Sequence, residues 1–341
     1  MKKVSLDNLN SVFAAASQNC ALYLPVDAEA GVAKYEKWED GKTLSSALNT
    51  VRSAKDFFFP QVENMAEFKV EGKKIEIIDT RKEAEDFIMF GVRACDFRSF
   101  SILDKVYLTD PVDSYYKTRR DHATIVTLAC SEPEETCFCT TFGIDATEPG
   151  GDVSAWIADG DMYFKANTEK GEAFLKTVDA ALTDGDEEKV SEAKAAAKEI
   201  LDKLPISGLD MSRYNEKELL SIFNDSRWDE LSEACLACGT CTYVCPTCQC
   251  YDIREFDTGH GIKRFRCWDS CMYADFTKEA AGNPRPTQMQ RFRQRFMHKL
   301  VYFPANNGGE YGCVGCGRCL KKCPIQMNIV KVIKALGVEE K

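Results

Sequence analysis

Two cysteine runs in the C-terminal third of the chain have a spacing that binds iron–sulfur clusters. Each run reads C-x2-C-x2-C-x3-C-P, and they lie at residues 235–246 and 313–324. When two such runs occur together, three thiolates of each run hold one [4Fe–4S] cluster, and the fourth cysteine ligates the other cluster. Clusters of this kind move single electrons, so the sequence predicts redox chemistry.

The exchange of the fourth cysteines defines two predicted ligand sets. The first set consists of Cys235, Cys238, Cys241 and Cys323. The second set consists of Cys313, Cys316, Cys319 and Cys245. Two-residue gaps allow the backbone to curl around a cube, and the glycines inside the runs permit the tight turns that this needs. A pair of zinc sites is the competing interpretation, but the spacing is poor for zinc.

The N-terminal half contains four cysteines that form a possible third set. They are Cys95, Cys130, Cys137 and Cys139. Because Cys95 and Cys130 each close a strand-like apolar run, we expect both to emerge at one end of a sheet. The spacing is consistent with a third [4Fe–4S] cluster. It is equally consistent with buried, reduced thiols, since cysteine is often buried without a function.

Residues 246–312, between the two runs, contain further cysteines whose role the spacing does not define. They are Cys248, Cys250, Cys267 and Cys271. These thiols could bind another metal, or they could pack around the first two clusters and shield them from water. Cys20 stands alone and is expected to be a small buried side chain. A basic stretch from Arg285 to Lys299 is interpreted as the solvated face of a helix, with docking to an acidic redox partner as the alternative.

The elements that must position these cysteines alternate between strands and helices. Short β-rich runs predict strands at 74–80, 87–95 and 123–130. Helical spacing occurs at 171–204 with a break at 184–186, at 215–231 behind a capping box, and at 288–300. The fold class predicted is α+β, with a mixed α/β N-terminal domain and a C-terminal, ferredoxin-like, mainly helical domain. The predicted boundaries are 1–165 for the first domain, 166–231 for a helical connector, and 232–341 for the dicluster domain with its insertion 246–312.

Composition narrows the class of protein further. The chain has 341 residues, 17 cysteines and a formal net charge of −10. In a long chain, so many cysteines indicate metal or redox chemistry and not a disulfide framework. The negative charge argues against nucleic acid as a partner. No apolar run is long enough for a transmembrane helix, and the polar N-terminus does not resemble a signal peptide, so we expect a cytoplasmic protein.

The order of the motifs resembles one family, the β subunit of NAD(P)-linked sulfhydrogenases together with the corresponding iron–sulfur subunit of anaerobic sulfite reductase. The matching segments are FFFPQ at 57–61, GVRACD at 91–96, TCFC at 136–139, CPTCQC at 245–250, WDSC at 268–271 and CVGCGRC at 313–319. Two positions depart from the family pattern. Ala94 stands where the family often has proline, and Cys267 falls where no cysteine is expected.

The resemblance implies a non-catalytic electron-relay subunit of an anaerobic oxidoreductase complex. A flavin-bearing partner that carries FAD would take electrons from NAD(P)H. This chain would pass them to a nickel–iron hydrogenase or a sirohaem sulfite reductase subunit. The resemblance also favours the third cluster at Cys95, Cys130, Cys137 and Cys139. The sequence does not choose between the two catalytic partners or between NADH and NADPH.

Two other functions remain open at this stage. The first is a reductase whose own substrate site lies in the N-terminal domain and is supplied by the clusters. The second is a redox-sensing or cluster-transfer protein. The chain shows no Ser/His/Asp arrangement, glycine-rich phosphate loop or paired-carboxylate motif that would support catalysis.

Overall fold

The computed structural model describes residues 1–81 and 85–338, and its centre is an eight-stranded sheet with helices on both faces. The strands are β1 (Lys2–Ser5), β2 (Ala21–Ala28), β3 (Val32–Lys37), β4 (Val62–Glu71), β5 (Lys74–Asp79), β6 (Phe87–Val92), β7 (Ala123–Leu128), β8 (Val153–Ala158), β9 (Asp161–Ala166), β10 (Thr183–Asp184), β11 (Tyr251–Asp257) and β12 (Ile262–Trp268). The helices are α1 (Leu9–Ala16), α2 (Lys55–Phe58), α3 (Ala94–Tyr107), α4 (Ser114–His122), α5 (Glu169–Val178), α6 (Glu187–Asp202), α7 (Leu219–Phe223), α8 (Arg227–Glu233), α9 (Thr240–Tyr243), α10 (Gln288–Met297), α11 (Phe303–Asn306), α12 (Arg318–Lys322) and α13 (Ile329–Leu336).

The eight-stranded sheet has the order β10-β1-β9-β8-β7-β6-β2-β3. Strands β2, β6, β7 and β8 run parallel to one another, and the outer pairs are antiparallel. The central strand β6 is apolar on both faces, as expected for a parallel strand that is covered on both sides. Its Ile88 and Phe90 pack with α1 and α5, whereas Met89 and Val92 pack with α2, α3 and α4.

The three predicted strands are confirmed, with one change of boundary. The run at 87–95 ends as a strand at Val92, and Cys95 lies in the first turn of α3. The break predicted at 184–186 is also confirmed, since it separates α5 from α6, and the Asp186 carboxylate caps α6 by accepting from the backbone N–H of Glu188. The single helix predicted for 215–231 is wrong. Asn215 caps a short 3-10 turn, and α7 and α8 follow as separate helices.

The insertion 246–312 is not helical throughout, in contrast to the mainly helical C-terminal domain that the sequence predicts. Its first part forms the hairpin β11–β12, which joins the N-terminal hairpin β4–β5 in a second sheet of order β11-β12-β4-β5. Strands that are far apart in sequence therefore pair here. In the region predicted as a connector, α5 and α6 pack on the first sheet. The domain boundaries at 165 and 231 stay predictions.

The second half of the insertion and the C-terminal segment build a separate helical core. Phe292, Phe296 and Leu300 pack there against Trp228 and the apolar side of α13. The predicted helix at 288–300 is present as α10 followed by a π-helical turn at His298–Tyr302. Among residues 1–81 and 85–338, no helix has the length and apolar character that a membrane crossing requires.

A buried ion pair joins the two halves of the chain. Arg318, the first residue of α12, donates two hydrogen bonds to the carboxylate of Asp96 in α3, one of 2.5 Å and one of 2.7 Å. Its Nε also donates to the carbonyl of Thr50 at 2.9 Å. Arg318 is 4% exposed and Asp96 is 1% exposed, so each charge depends on the other for compensation.

We expect the replacement Arg318→Met to lower the free energy of unfolding by about 3–5 kcal/mol, because it leaves a buried carboxylate unpaired. The urea midpoint of the anaerobic chain measures the change. Lys321→Ala is the matched control on the same helix, since Lys321 forms a more exposed pair with Glu134 that should contribute about 0–1 kcal/mol. Equal midpoints for the two variants would contradict the prediction.

Candidate iron–sulfur centres

The two cysteine runs adopt the same local structure. In each run a cysteine loop reaches a glycine in the left-handed region, Gly239 with φ 74° and Gly317 with φ 75°, and a one-turn helix begins at the next residue. These helices, α9 and α12, pack against each other. The sequence repeat is therefore also a structural repeat, and it brings the two loops side by side.

The fourth cysteine of each run lies beside the other run. Cys235 interacts electrostatically with Cys241 and Cys238 of its own run and with Cys323 of the second run. Conversely, the thiols of Cys313 and Cys319 interact with Cys245 of the first run. The structure thus brings together the members of the first set and those of the second set, in the crossed arrangement.

The third set forms at the carboxyl ends of two neighbouring parallel strands. Cys95 follows β6 and Cys130 follows β7, and a loop with a 3-10 turn brings Cys137 and Cys139 to the same place. Cys139 interacts with Cys130 and Cys137, and Cys95 interacts with Cys139. The expectation that Cys95 and Cys130 emerge at one end of a sheet is confirmed.

The third set is in direct contact with the second set. The backbone N–H of Phe138 donates to the carbonyl of Gly315 at 3.0 Å. Gly315 has φ 61°, and a Cβ atom there would overlap the Phe138 carbonyl and lie 2.6 Å from the N atom of Cys139. Both Cys95 and Cys137 interact electrostatically with Cys316. The two cysteine loops therefore pack backbone against backbone, with no side chain between them.

Three buried cations lie among the cysteines, and they correct the interpretation of the basic stretch as a solvated face. Arg295 is 3% exposed and donates to the carbonyl of Cys241 at 2.8 Å. Lys299 is 5% exposed and donates to the Thr247 hydroxyl at 2.6 Å. Lys55, from the N-terminal half, donates to the carbonyls of Cys245 at 3.0 Å and Cys248 at 2.9 Å. Arg295 and Lys299 thus face the cysteines, away from solvent.

These cations favour thiolates nearby. Burial alone would lower the pKa of Lys299, but interaction with the sulfurs of Cys245 and Cys248 raises it above its ordinary value. A hydrogen bond from Cys248 holds the pKa of the Cys245 thiol well below its usual range, and Lys299 and Arg295 act in the same direction against the effect of burial. The cation cluster therefore stabilises negative charge around Cys245.

At several other predicted ligands the effect of burial outweighs that of the nearby cations. Burial raises the pKa of Cys137 to about 11, and it raises the pKa of Cys139 and of Cys313 to about 12. These thiols keep their protons at neutral pH, so the binding of iron must release them. Cys238 is exposed, and a hydrogen bond with Thr240 lowers its pKa.

The remaining cysteines divide into a group and two single residues. Cys248, Cys250 and Cys271 lie together, whereas Cys267 is on β12 opposite Asp252, and no cysteine contributes to its pKa. Cys20 is half-buried with its thiol 3.9 Å from the Ala16 carbonyl. Within the described ranges, no three Cys, His, Asp or Glu side chains are placed to hold a single metal ion. A four-iron cube is larger than one ion and is bound at its corners, so it accepts thiols that are further apart.

Comparison with known proteins gives the same result as the motifs. A family model for a 4Fe-4S dicluster domain matches residues 234–327. Sulfhydrogenase 2 subunit beta of Pyrococcus furiosus is 34% identical over 291 residues, which are 83% of this chain and 82% of that protein.

The chain belongs to the sulfhydrogenase β-subunit family. The resemblance inferred from the motif order is thereby confirmed. Together with the dicluster match, membership of this family supports an iron–sulfur electron-transfer subunit. No solved structure matches the chain significantly.

Sequence reasoning missed the cations around the cysteines. Nothing in the sequence distinguishes Lys55, whose Nζ lies 3.7 Å from the ring centroid of Trp268 as well as against the Cys245 loop. Arg295 and Lys299 are spaced i, i+4, which places them on one helical face. Phe292, Phe296 and Leu300 in the same segment are buried as well, so that region of α10 is enclosed on more than one side. A helix with a solvated face would bury only its apolar residues. Here the basic residues Arg295 and Lys299 are buried together with the apolar ones, which shows that the segment lies in the interior.

The contact between the second and third sets predicts a specific sensitivity at Gly315. We expect Gly315→Ala to destabilise the chain by more than the roughly 1–2 kcal/mol of a left-handed alanine, because the new methyl group also pushes the Phe138–Cys139 backbone away. The variant should lose iron from one or both neighbouring sets. Gly143→Ala is the matched control, with φ 69° and nothing within 4 Å of its Cβ position. Equal iron content and equal urea midpoints in the two variants would contradict a structural role for the contact between the Gly315 turn and the Phe138 loop.

Proposed function

We propose that this chain relays electrons from a flavin subunit linked to NAD(P)H to a catalytic reductase or hydrogenase subunit. The proposed relay has three [4Fe–4S] clusters. They are held by the first set (Cys235, Cys238, Cys241, Cys323), the second set (Cys313, Cys316, Cys319, Cys245) and the third set (Cys95, Cys130, Cys137, Cys139). The family and the dicluster match support the general class, and the structure supports this arrangement of thiols.

The observation that carries the proposal is the continuity of the three sets. The first and second sets share two interleaved loops, and the second and third sets meet at the hydrogen bond between Phe138 and Gly315. A relay needs neighbouring redox centres with little material between them. Two cysteine loops in direct backbone contact bring their redox centres closer together than two separated cysteine sites would.

Other features of this chain exclude water from these sites and compensate negative charge on their sulfurs. When bound, the clusters accept and release single electrons. The buried positions of Cys95, Cys139 and Cys316 exclude water, and the Arg318–Asp96 pair holds the third-set helix against the second run. Lys299 and Arg295 offset negative charge at Cys245. No side chain in this arrangement needs to act on a substrate.

The partners follow from the family. The relative's name describes a β subunit of a sulfhydrogenase, so we assign this chain to a multisubunit complex. FAD is assigned to the flavin partner and not to this chain. The catalytic partner is either a nickel–iron hydrogenase or an anaerobic sulfite reductase subunit, and the complex is assigned to the cytoplasm. Cys238 and its neighbour Leu236 are exposed, which marks the first set as an end that a partner can approach.

A substrate site in the N-terminal domain has less support. A cavity of about 1020 Å³ there is lined by Tyr23, Phe57, Phe87 and Arg119, among others. Phe87 begins β6, whereas Cys95 follows its far end, and a six-residue strand spans roughly 20 Å. The cavity thus opens at the opposite edge of the sheet from the third set. A cluster-transfer role is also disfavoured, because such a protein needs accessible ligands and, of the twelve proposed here, only Cys238 is exposed.

The relay is tested by asking which component meets NAD(P)H. In the anaerobically purified complex, NADH or NADPH should bleach the visible absorption of the clusters, with FAD found on the partner subunit. The isolated, reconstituted chain should neither bind flavin nor oxidise NAD(P)H, while dithionite should still bleach its clusters. Substrate-dependent NAD(P)H oxidation by the isolated chain would instead favour the reductase alternative.

The third cluster is tested by counting iron. We expect Cys137→Ala with Cys139→Ala to remove about four iron atoms per chain and to leave the first two clusters in place. Cys20→Ala is the matched control, since Cys20 belongs to none of the three sets. An unchanged iron content in the double variant would rule out the third cluster and leave a two-cluster relay.

A further inference from the structure

A narrow cavity beside the Cys245 loop is lined by potential metal ligands that belong to none of the three sets. Its walls include three cysteines, a histidine and two cations, which are Cys248, Cys250, Cys271, His298, Arg295 and Lys299. Cys248 and Cys250 lie between the first run and β11, and Cys271 lies after β12. None of these cysteines belongs to a C-x2-C-x2-C-x3-C-P run as one of its four ligands.

The β11–β12 hairpin brings the three thiols together. Tyr251 pairs with Trp268 at the base of the hairpin, and the N–H of Asp269 donates to the carbonyl of Cys250 at 3.0 Å. Beyond this base, Cys250, Cys271 and Cys248 line one cavity, and Cys271 interacts electrostatically with the other two. The hairpin therefore places side chains that are about twenty positions apart in one small volume.

The same hairpin keeps Cys267 out of the group. Cys267 pairs with Asp252 and with Val62, one residue before Trp268, so it points to the other face of the sheet. A metal site made of Cys248, Cys250, Cys267 and Cys271 is therefore excluded. Three thiols remain, and a fourth ligand must come from a different residue.

His298 is placed to be that ligand. It lines the cavity with the three cysteines, and neither ring nitrogen forms a hydrogen bond with any residue in the ranges 1–81 and 85–338. A neutral imidazole with no other hydrogen bond has a nitrogen lone pair to donate to a metal. The π-helical turn begins at this residue, and such turns are frequent at functional sites.

A buried donor in the wall also lacks a partner. The Nε–H of Arg295 is buried and meets no acceptor within the described part of the chain, although another nitrogen of the guanidinium is satisfied by Cys241. An unpaired buried N–H of a charged group is costly. A sulfur-rich anion in the cavity would supply both an acceptor and the negative charge that Arg295 and Lys299 compensate.

We propose that Cys248, Cys250 and Cys271 hold a further [4Fe–4S] cluster, with the imidazole of His298 as the ligand of its fourth iron. A single ion does not fit, because no three such side chains converge on one point in the described residues. Soft thiolates select iron–sulfur clusters, and imidazole is an accepted iron ligand in such centres. This site lies next to Cys245 and would place an additional redox centre beside the second set, independent of whether the third set is occupied.

The test compares iron and sulfide in the full-length chain after anaerobic reconstitution with ferrous iron and sulfide. Cys250→Ser with Cys271→Ser should contain about four iron atoms fewer than the parent chain. Cys267→Ser is the matched control from the same hairpin, and its iron content should equal that of the parent. A double variant with the parent's iron content would overturn the proposal.

A spectroscopic measurement on the unmodified chain does not depend on how the cysteine variant folds. Pulsed EPR of the reduced chain should show a strong ¹⁴N hyperfine coupling from a directly bound imidazole. His298→Gln should abolish this coupling while the Cys267→Ser control retains it. A parent spectrum without such coupling, or one whose coupling survives in His298→Gln, would overturn the assignment of His298.

Discussion

Negative charge concentrated on sulfur has to be accommodated in the interior of this chain, and the rest of the structure depends on how this is done. Thiolates and the clusters they bind are stable inside a protein only where positive charge and hydrogen-bond donors are buried with them. Lys299 and Arg295 meet this requirement from one helix, and Lys55 meets it from the N-terminal half. Lys55 therefore helps to hold the two halves of the chain together, because it belongs to the N-terminal half and donates to a cysteine loop of the C-terminal half.

A second requirement is close approach. The loop around Phe138 and the turn at Gly315 can touch only because glycine has no side chain and tolerates a positive φ. The parallel strands β6 and β7 deliver Cys95 and Cys130 to the same sheet edge, and Arg318 fastens that edge to the second run through Asp96. Sheet topology, a buried ion pair and a glycine turn thus combine to bring the second and third sets into contact.

Parts of this arrangement are predictable because they depend on local spacing. The two runs define their own turns, so a single sequence is enough to predict them. The meeting of Cys95 with Cys130 also follows from sequence, since both close apolar strands. The pairing of β4 with β12 is not predictable, because it joins segments about 200 residues apart and neither carries a local signal for it. The β11–β12 hairpin is likewise absent from the sequence prediction, and it is this hairpin that separates Cys267 from Cys250 and Cys271.

The burial of cations is uneven, and this has a consequence for the direction of electron transfer in the proposed relay. An added electron is stabilised by nearby positive charge, and burial strengthens the effect because screening by water is weak there. Lys299 lies close to Cys245 of the second set, and Arg295 acts on both sets because it also donates to the carbonyl of Cys241. The first set has in addition an exposed cysteine, Cys238, at the surface. A cluster held by the second set would therefore attract an electron more strongly than one held by the first set. An electron that entered at the exposed end would move inward toward the buried cations, and the backbone contact at Gly315 would then connect it to the third set.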